Sequence, residues 1–175
     1  MFQGWDNFYL LVGSAAGALV GIMFIVITLT AGYESKNKAI GSRVYNTPIV
    51  FHFSVILSVS IISAVPGLPI RFVTALLVIC AAIGLAYSLT TTIRMIGANW
   101  QPLPDLSDKL FYGVFPSLAY LVLGVASLLP AAPFALDAIG ASMLAMLLIG
   151  IRNAWDLATY FVLHPYTPGA GKRKS

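Results

Sequence analysis

FYLLVGSAAGALVGIMFIVITLT, residues 8–30, is 23 residues without a charge. Crossing about 30 Å of hydrocarbon takes about 20 residues at 1.5 Å rise each, so this stretch reads as a transmembrane helix. Moving outward, residues 48–65 form a second apolar window, short and rich in serine, opening on Thr47 as N-cap and Pro48 at the first helical position. Pro66-Gly67-Leu68-Pro69 closes it as a tight turn, and residues 72–93 form the third span. After a polar stretch, Asp105 or Ser107 can cap a fourth helix over 110–129; Pro130-Ala131-Ala132-Pro133 is another turn, and a fifth helix runs over 134–163. The expectation is an all-α polytopic bundle of five transmembrane helices, a single membrane domain over 1–175 with a basic tail at 165–175.

Composition agrees. Of 175 residues, 59% are hydrophobic and 9% charged, whereas a soluble domain carries about 25% charged residues. Disorder, a disulfide scaffold and nucleic-acid binding are excluded as leading classes; the single Cys80 reads as a small buried hydrophobe. The start Met1-Phe2-Gln3-Gly4-Trp5-Asp6 lacks a basic n-region, so no removable signal peptide is expected, and Trp5, Phe8 and Tyr9 read as an interfacial anchor.

Charge gives direction. Five spans place Arg71 alone on one side, and Lys36, Lys38, Arg43, Arg94, Lys109, Arg152, Lys172, Arg173 and Lys174 on the other, a nine-to-one bias. The positive-inside rule then puts the N-terminus outside and the C-terminus in the cytoplasm. The tail Lys172-Arg173-Lys174 suits the anionic inner leaflet.

Gly13, Gly17 and Gly21 are spaced four apart on one helix face, a glycine zipper that permits close backbone approach. It reads as a packing seam in the bundle, a homo-oligomer interface or a pore-lining strip. The small face Cys80, Gly84, Ser88 and Thr92 on the third helix is its candidate partner. Polarity gathers at the inner ends of the spans: His52, Arg94, Tyr112, and, on one stretch of the fifth helix, Arg152, Asn153, Asp156 and Tyr160. Asn153, Asp156 and Tyr160 share a face, and Arg152 and Asp156 are four apart and able to pair. The group is either a structural network or a site for a lipid headgroup, solute or partner. Pro116 lies inside the fourth helix and leaves the Tyr112 carbonyl in need of another donor. His52 and His164 are the two histidines; haem ligation by them is the least favoured reading, with no metal-ligand spacing in the chain.

Four segments resemble a family of small bacterial inner-membrane proteins, some labelled as modulators of the FtsH protease: Trp5-Asp6-Asn7-Phe8-Tyr9 with 12–18, Thr47-Pro48 with His52-Phe53, Pro116-Ser117-Leu118-Ala119-Tyr120, and Gly150-Ile151-Arg152-Asn153-Ala154-Trp155-Asp156 with Thr159-Tyr160. The resemblance implies a multi-pass inner-membrane protein and brings no activity, substrate or cofactor. The family often has histidine where this chain has Arg152, so histidine chemistry there does not carry over. The functional expectation is a non-enzymatic accessory or regulatory subunit that acts by helix packing with a membrane-protein partner or with itself. A small oligomeric channel or transporter, its vestibule lined by His52, Asn153 and Asp156, is the alternative. A membrane enzyme or haem protein comes third.

Overall fold

The computed structural model describes residues 4–30, 38–97 and 105–163, with side chains at 4–28, 47–96 and 105–159. Among these residues all regular structure is helical. The first helix is Asp6–Thr30, the second Lys38–Ala64, the third Ile70–Gly97, the fourth Leu106–Leu128 and the fifth Ala135–Leu163. Each contains a stretch long and apolar enough to cross a membrane. The chain is a five-span helical membrane protein in architecture.

The second helix differs from expectation. It starts at Lys38, so Pro48 lies inside it and Thr47 is no N-cap. Proline forfeits its own N–H bond and its ring crowds the carbonyl four residues back, a cost set against the packing around it, where Ile49 and Phe53 are fully buried. Asp105 does cap the fourth helix, accepting a hydrogen bond from the Leu106 N–H at 3.0 Å. The two expected turns are present. Gly67 has φ +73°, a left-handed conformation that glycine adopts without steric cost, and the Phe72 and Val73 N–H groups then bond the Pro69 carbonyl to open the third helix. The fifth helix is continuous over 29 residues, about 43 Å.

Helices two, three, four and five pack in a ring in that order, the fifth closing on the second, and the first helix lies along the second and fifth. The points of close approach fix direction: Gly13 meets Ser60 and Gly17 lies nearest Leu57, Gly84 meets Tyr120 and Gly113 meets Thr92, so these pairs are antiparallel. Odd and even helices therefore alternate. One end of the bundle carries the turns at 65–69 and 129–134; the other, here the basic end, carries Arg94, Lys109 and Arg152.

The glycine seam is corrected in its partner. The first helix packs on the second and fifth, while Gly84, Ser88 and Thr92 of the third helix face the fourth, at Tyr120, Ser117 and Gly113. A Cβ on Gly13 would stand 2.7 Å from the Ser60 Cβ, yet one on Gly21 would meet nothing within 4 Å. Only the start of the zipper is a tight contact inside the subunit. Trp5, Phe8 and Tyr9 form an edge-to-face cluster that packs inward as well: Tyr9 is 1% exposed and Trp5 lies against Gly140 of the fifth helix.

Gly84 is where the ring tolerates no side chain, since a Cβ there would overlap the Tyr120 ring. Gly84→Ala is expected to lose about 1–3 kcal/mol by overpacking. Gly21→Ala is expected to stay within about 0.5 kcal/mol of the parent. Thermal unfolding of the two variants in one detergent checks the contrast.

Candidate functional site

The polar residues at the basic half divide into a network, a pair and a solitary cation. The network joins the fourth and fifth helices and begins with a backbone defect. In the π turn Leu110–Val114 the Phe115 N–H bonds the Leu110 carbonyl, one residue further back than in an α-helix. The next N–H in that register would belong to Pro116, which has none. The Phe111 carbonyl is thus bypassed, and the Asn153 Nδ2 donates to it at 3.0 Å. The sequence led us to expect an outside donor at the Tyr112 carbonyl; the outside donor seen in the structure is the Asn153 amide, at the Phe111 carbonyl.

The rest of the network builds on Asn153, which is fully buried. The Tyr112 hydroxyl donates to the Asn153 carbonyl at 3.1 Å, so each of the two helices donates to a backbone oxygen of the other. Arg152 Nη1 donates to Asn153 Oδ1 at 3.2 Å and holds the amide in the orientation that aims Nδ2 at Phe111. Arg152 Nη2 donates to Ser107 Oγ at 2.8 Å and pairs with Asp156 Oδ2 at 2.9 Å, with the guanidinium carbon 4.0 Å from the centre of the Phe111 ring. The pair expected from spacing is therefore formed, on side chains 32% and 43% exposed. At that exposure the ion pair itself is worth about 1 kcal/mol or less; its larger effect is to fix Arg152 over Phe111. Tyr160 has its side chain outside the described residues.

The pair is His52 with Tyr120. His52 Nδ1 and the Tyr120 hydroxyl share a 2.8 Å hydrogen bond between the second and fourth helices, diagonally across the ring. Both residues are at most 2% exposed, and the His52 ring stands edge-on to Tyr87. His52 Nε2 is buried without a hydrogen-bond partner among the described residues. Between the third and fourth helices Ser88 Oγ and Ser117 Oγ lie 2.7 Å apart and both donate toward the Gly113 carbonyl. Ser54 and Ser58 bond back to their own helix, while Ser60 and Ser63 hydroxyls are buried with no partner among the described residues.

The solitary cation is Arg94, exposed on the third helix and outside both groups; among the described residues it has no ion pair. The candidate residues therefore do not converge on one pocket. Tyr112 and Asn153 are joined to each other, His52 is joined to Tyr120, and Arg94 stands apart. Tyr120, Ser107, Ser88 and Ser117 escaped the sequence reading as site residues. For Tyr120 a signal existed, since a tyrosine in the middle of an apolar span needs a partner for its hydroxyl. Among the described residues no group of three or more His, Cys, Asp or Glu is placed to hold a metal ion.

No family model matches the chain, and no curated protein or solved structure is significantly similar to it.

Removing the amide of Asn153 takes away the donor that the part-buried Phe111 carbonyl has in the structure. Asn153→Leu is expected to lose about 1–3 kcal/mol. Arg152→Gln, which keeps a donor near Asn153, is expected to cost about 1 kcal/mol or less. Unfolding by denaturing detergent, followed by circular dichroism, measures both.

Proposed function

We propose that this protein is a non-enzymatic subunit of the bacterial inner membrane that acts by associating with another membrane protein, as an accessory or regulatory component. One observation carries the reading. The first and third helices bury only 22% and 28% of their apolar windows, against 44% for the other three. Two of the five spans thus present most of their surface outward, with Leu10, Leu11 and Phe24 on the first helix 68–71% exposed. In lipid such faces are matched by acyl chains or by helices, and small residues at Ser14, Ala18 and Gly21 on the exposed side of the first helix let a helix come close. The interior supports association over conduction, because each side chain expected to line a vestibule already engages the protein: His52 Nδ1 with Tyr120, Asn153 with Phe111 and Asp156 with Arg152.

Mild-detergent affinity purification followed by native mass spectrometry tests this. The expected species is a stoichiometric complex with a second membrane protein. A homo-oligomer alone, with solute flux in liposomes that Asp156→Asn alters, would replace the proposal with the channel reading.

The same reading sets the N-terminus outside and the basic end in the cytoplasm, from the nine-to-one distribution of Lys and Arg. A C-terminal fusion is expected to give a fluorescent cytoplasmic reporter and an inactive periplasmic one; the opposite pattern reverses the orientation.

A further inference from the structure

An open groove runs along the outer face of the third helix, lined by Ile83, Ala86, Tyr87, Thr90, Thr91 and Arg94. We propose that it holds one anionic phospholipid, with the phosphate on the Arg94 guanidinium and an acyl chain along Ala86 and Ile83.

The dimensions fit a lipid of one leaflet. Arg94 lies two residues from the end of the span Ile70–Ile96, and the ends of a span are where hydrocarbon gives way to headgroups. From Arg94 to Ile83 the helix rises about 16 Å, close to half of the roughly 30 Å hydrocarbon thickness. The chemistry changes along that length in the same sense as a phospholipid does, from a cation at the interface to an exposed aliphatic side chain, Ile83, at depth.

Among the described residues the Arg94 charge has no acidic partner. Arg152 is neutralised by Asp156, and the Arg71 guanidinium lies 5.0 Å from the Phe72 ring centre, whereas Arg94 has neither kind of contact among the described residues. A guanidinium left facing a bilayer interface has phosphate oxygens as its natural acceptors, and its planar fork can engage two of them. The groove wall is held in place from behind. The Tyr87 ring stacks on Phe51 of the second helix at 4.0 Å between centroids, which keeps Tyr87 seven residues from Arg94 on the same face. Thr90 and Thr91 hydroxyls donate back to the Ala86 and Tyr87 carbonyls at 2.7 and 3.0 Å. Their donors are already used, so the anion-binding capacity is concentrated at Arg94. The site lies on the lipid-facing side of one helix, and the proposal stands whether or not the association reading does.

Native mass spectrometry of the full chain, released from detergent carrying phosphatidylglycerol or phosphatidylcholine of identical acyl chains, tests it. One retained phosphatidylglycerol per protein is expected, in preference to phosphatidylcholine. Arg94→Gln is expected to lower that retention about fivefold, the effect of one basic residue at an anionic surface. Ala86→Trp, which fills the groove and keeps the charge, is expected to lower it as well, and Arg71→Gln to leave it unchanged. Equal retention of both lipids, or an Arg94→Gln protein that holds phosphatidylglycerol as well as the parent, overturns the proposal. Loss of the lipid on adding millimolar inorganic phosphate at constant ionic strength, with Ala86→Trp behaving as the parent, would make Arg94 a simple anion site and also overturn it.

Discussion

Hydrocarbon offers no hydrogen bonds, so every backbone carbonyl within a span must be satisfied by the protein itself, and one carbonyl in this chain organises the basic half of the bundle around that need. Pro116 cannot donate, the helix relaxes into a π turn before it, and the Phe111 oxygen is left for Asn153 to reach from the fifth helix. That bond fixes the register of the two helices. The Tyr112 hydroxyl returns a bond to the Asn153 carbonyl, and Arg152, bridging Ser107 and Asp156, keeps the amide turned the right way. A proline that would be a defect in isolation becomes the reason two helices are locked together. The polar residues there are accounted for by that role, which leaves the search for function to the outer surface.

The same economy holds across the ring. Tyr120 reaches His52 on the opposite helix because Gly84 yields the space its ring occupies, so a glycine on the third helix, a tyrosine on the fourth and a histidine on the second form one unit. Large side chains fill the middle, with Tyr9, Phe53, Tyr112, Tyr120 and Met143 all 2% exposed or less. A core closed in this way leaves the outer helix faces as the surfaces open to other molecules. The faces differ: the first helix offers apolar and small residues, the third an apolar groove ending in a cation.

How much of this could be read beforehand follows from the range of the interactions. The spans, the Asp105 cap, the Gly67 turn and the Arg152–Asp156 pair are local, involving residues within one helix or one turn, and all were legible. The helical continuation through Pro48 was not, because the packing of Ile49 and Phe53 that supports it comes from other helices. The glycine face of the first helix was visible, but its partner was not, since helices one and three present similar small-residue stripes and nothing local says which neighbour each will meet. Tyr120 lay inside an apolar stretch and looked like core, although its hydroxyl forms the crossbar with His52.

The sequence by itself determined that this is a five-span membrane protein and where its polarity lies, because hydropathy, turn chemistry and charge count are properties of consecutive residues. Only the tertiary structure decided that the polar residues form a helix tie and a separate His52–Tyr120 crossbar, and that Arg94, with no ion pair among the described residues, borders a groove. Those outcomes depend on which helices are neighbours, and the choice of neighbour rests on contacts between residues far apart in the chain, such as Gly84 with Tyr120 and Asn153 with Phe111.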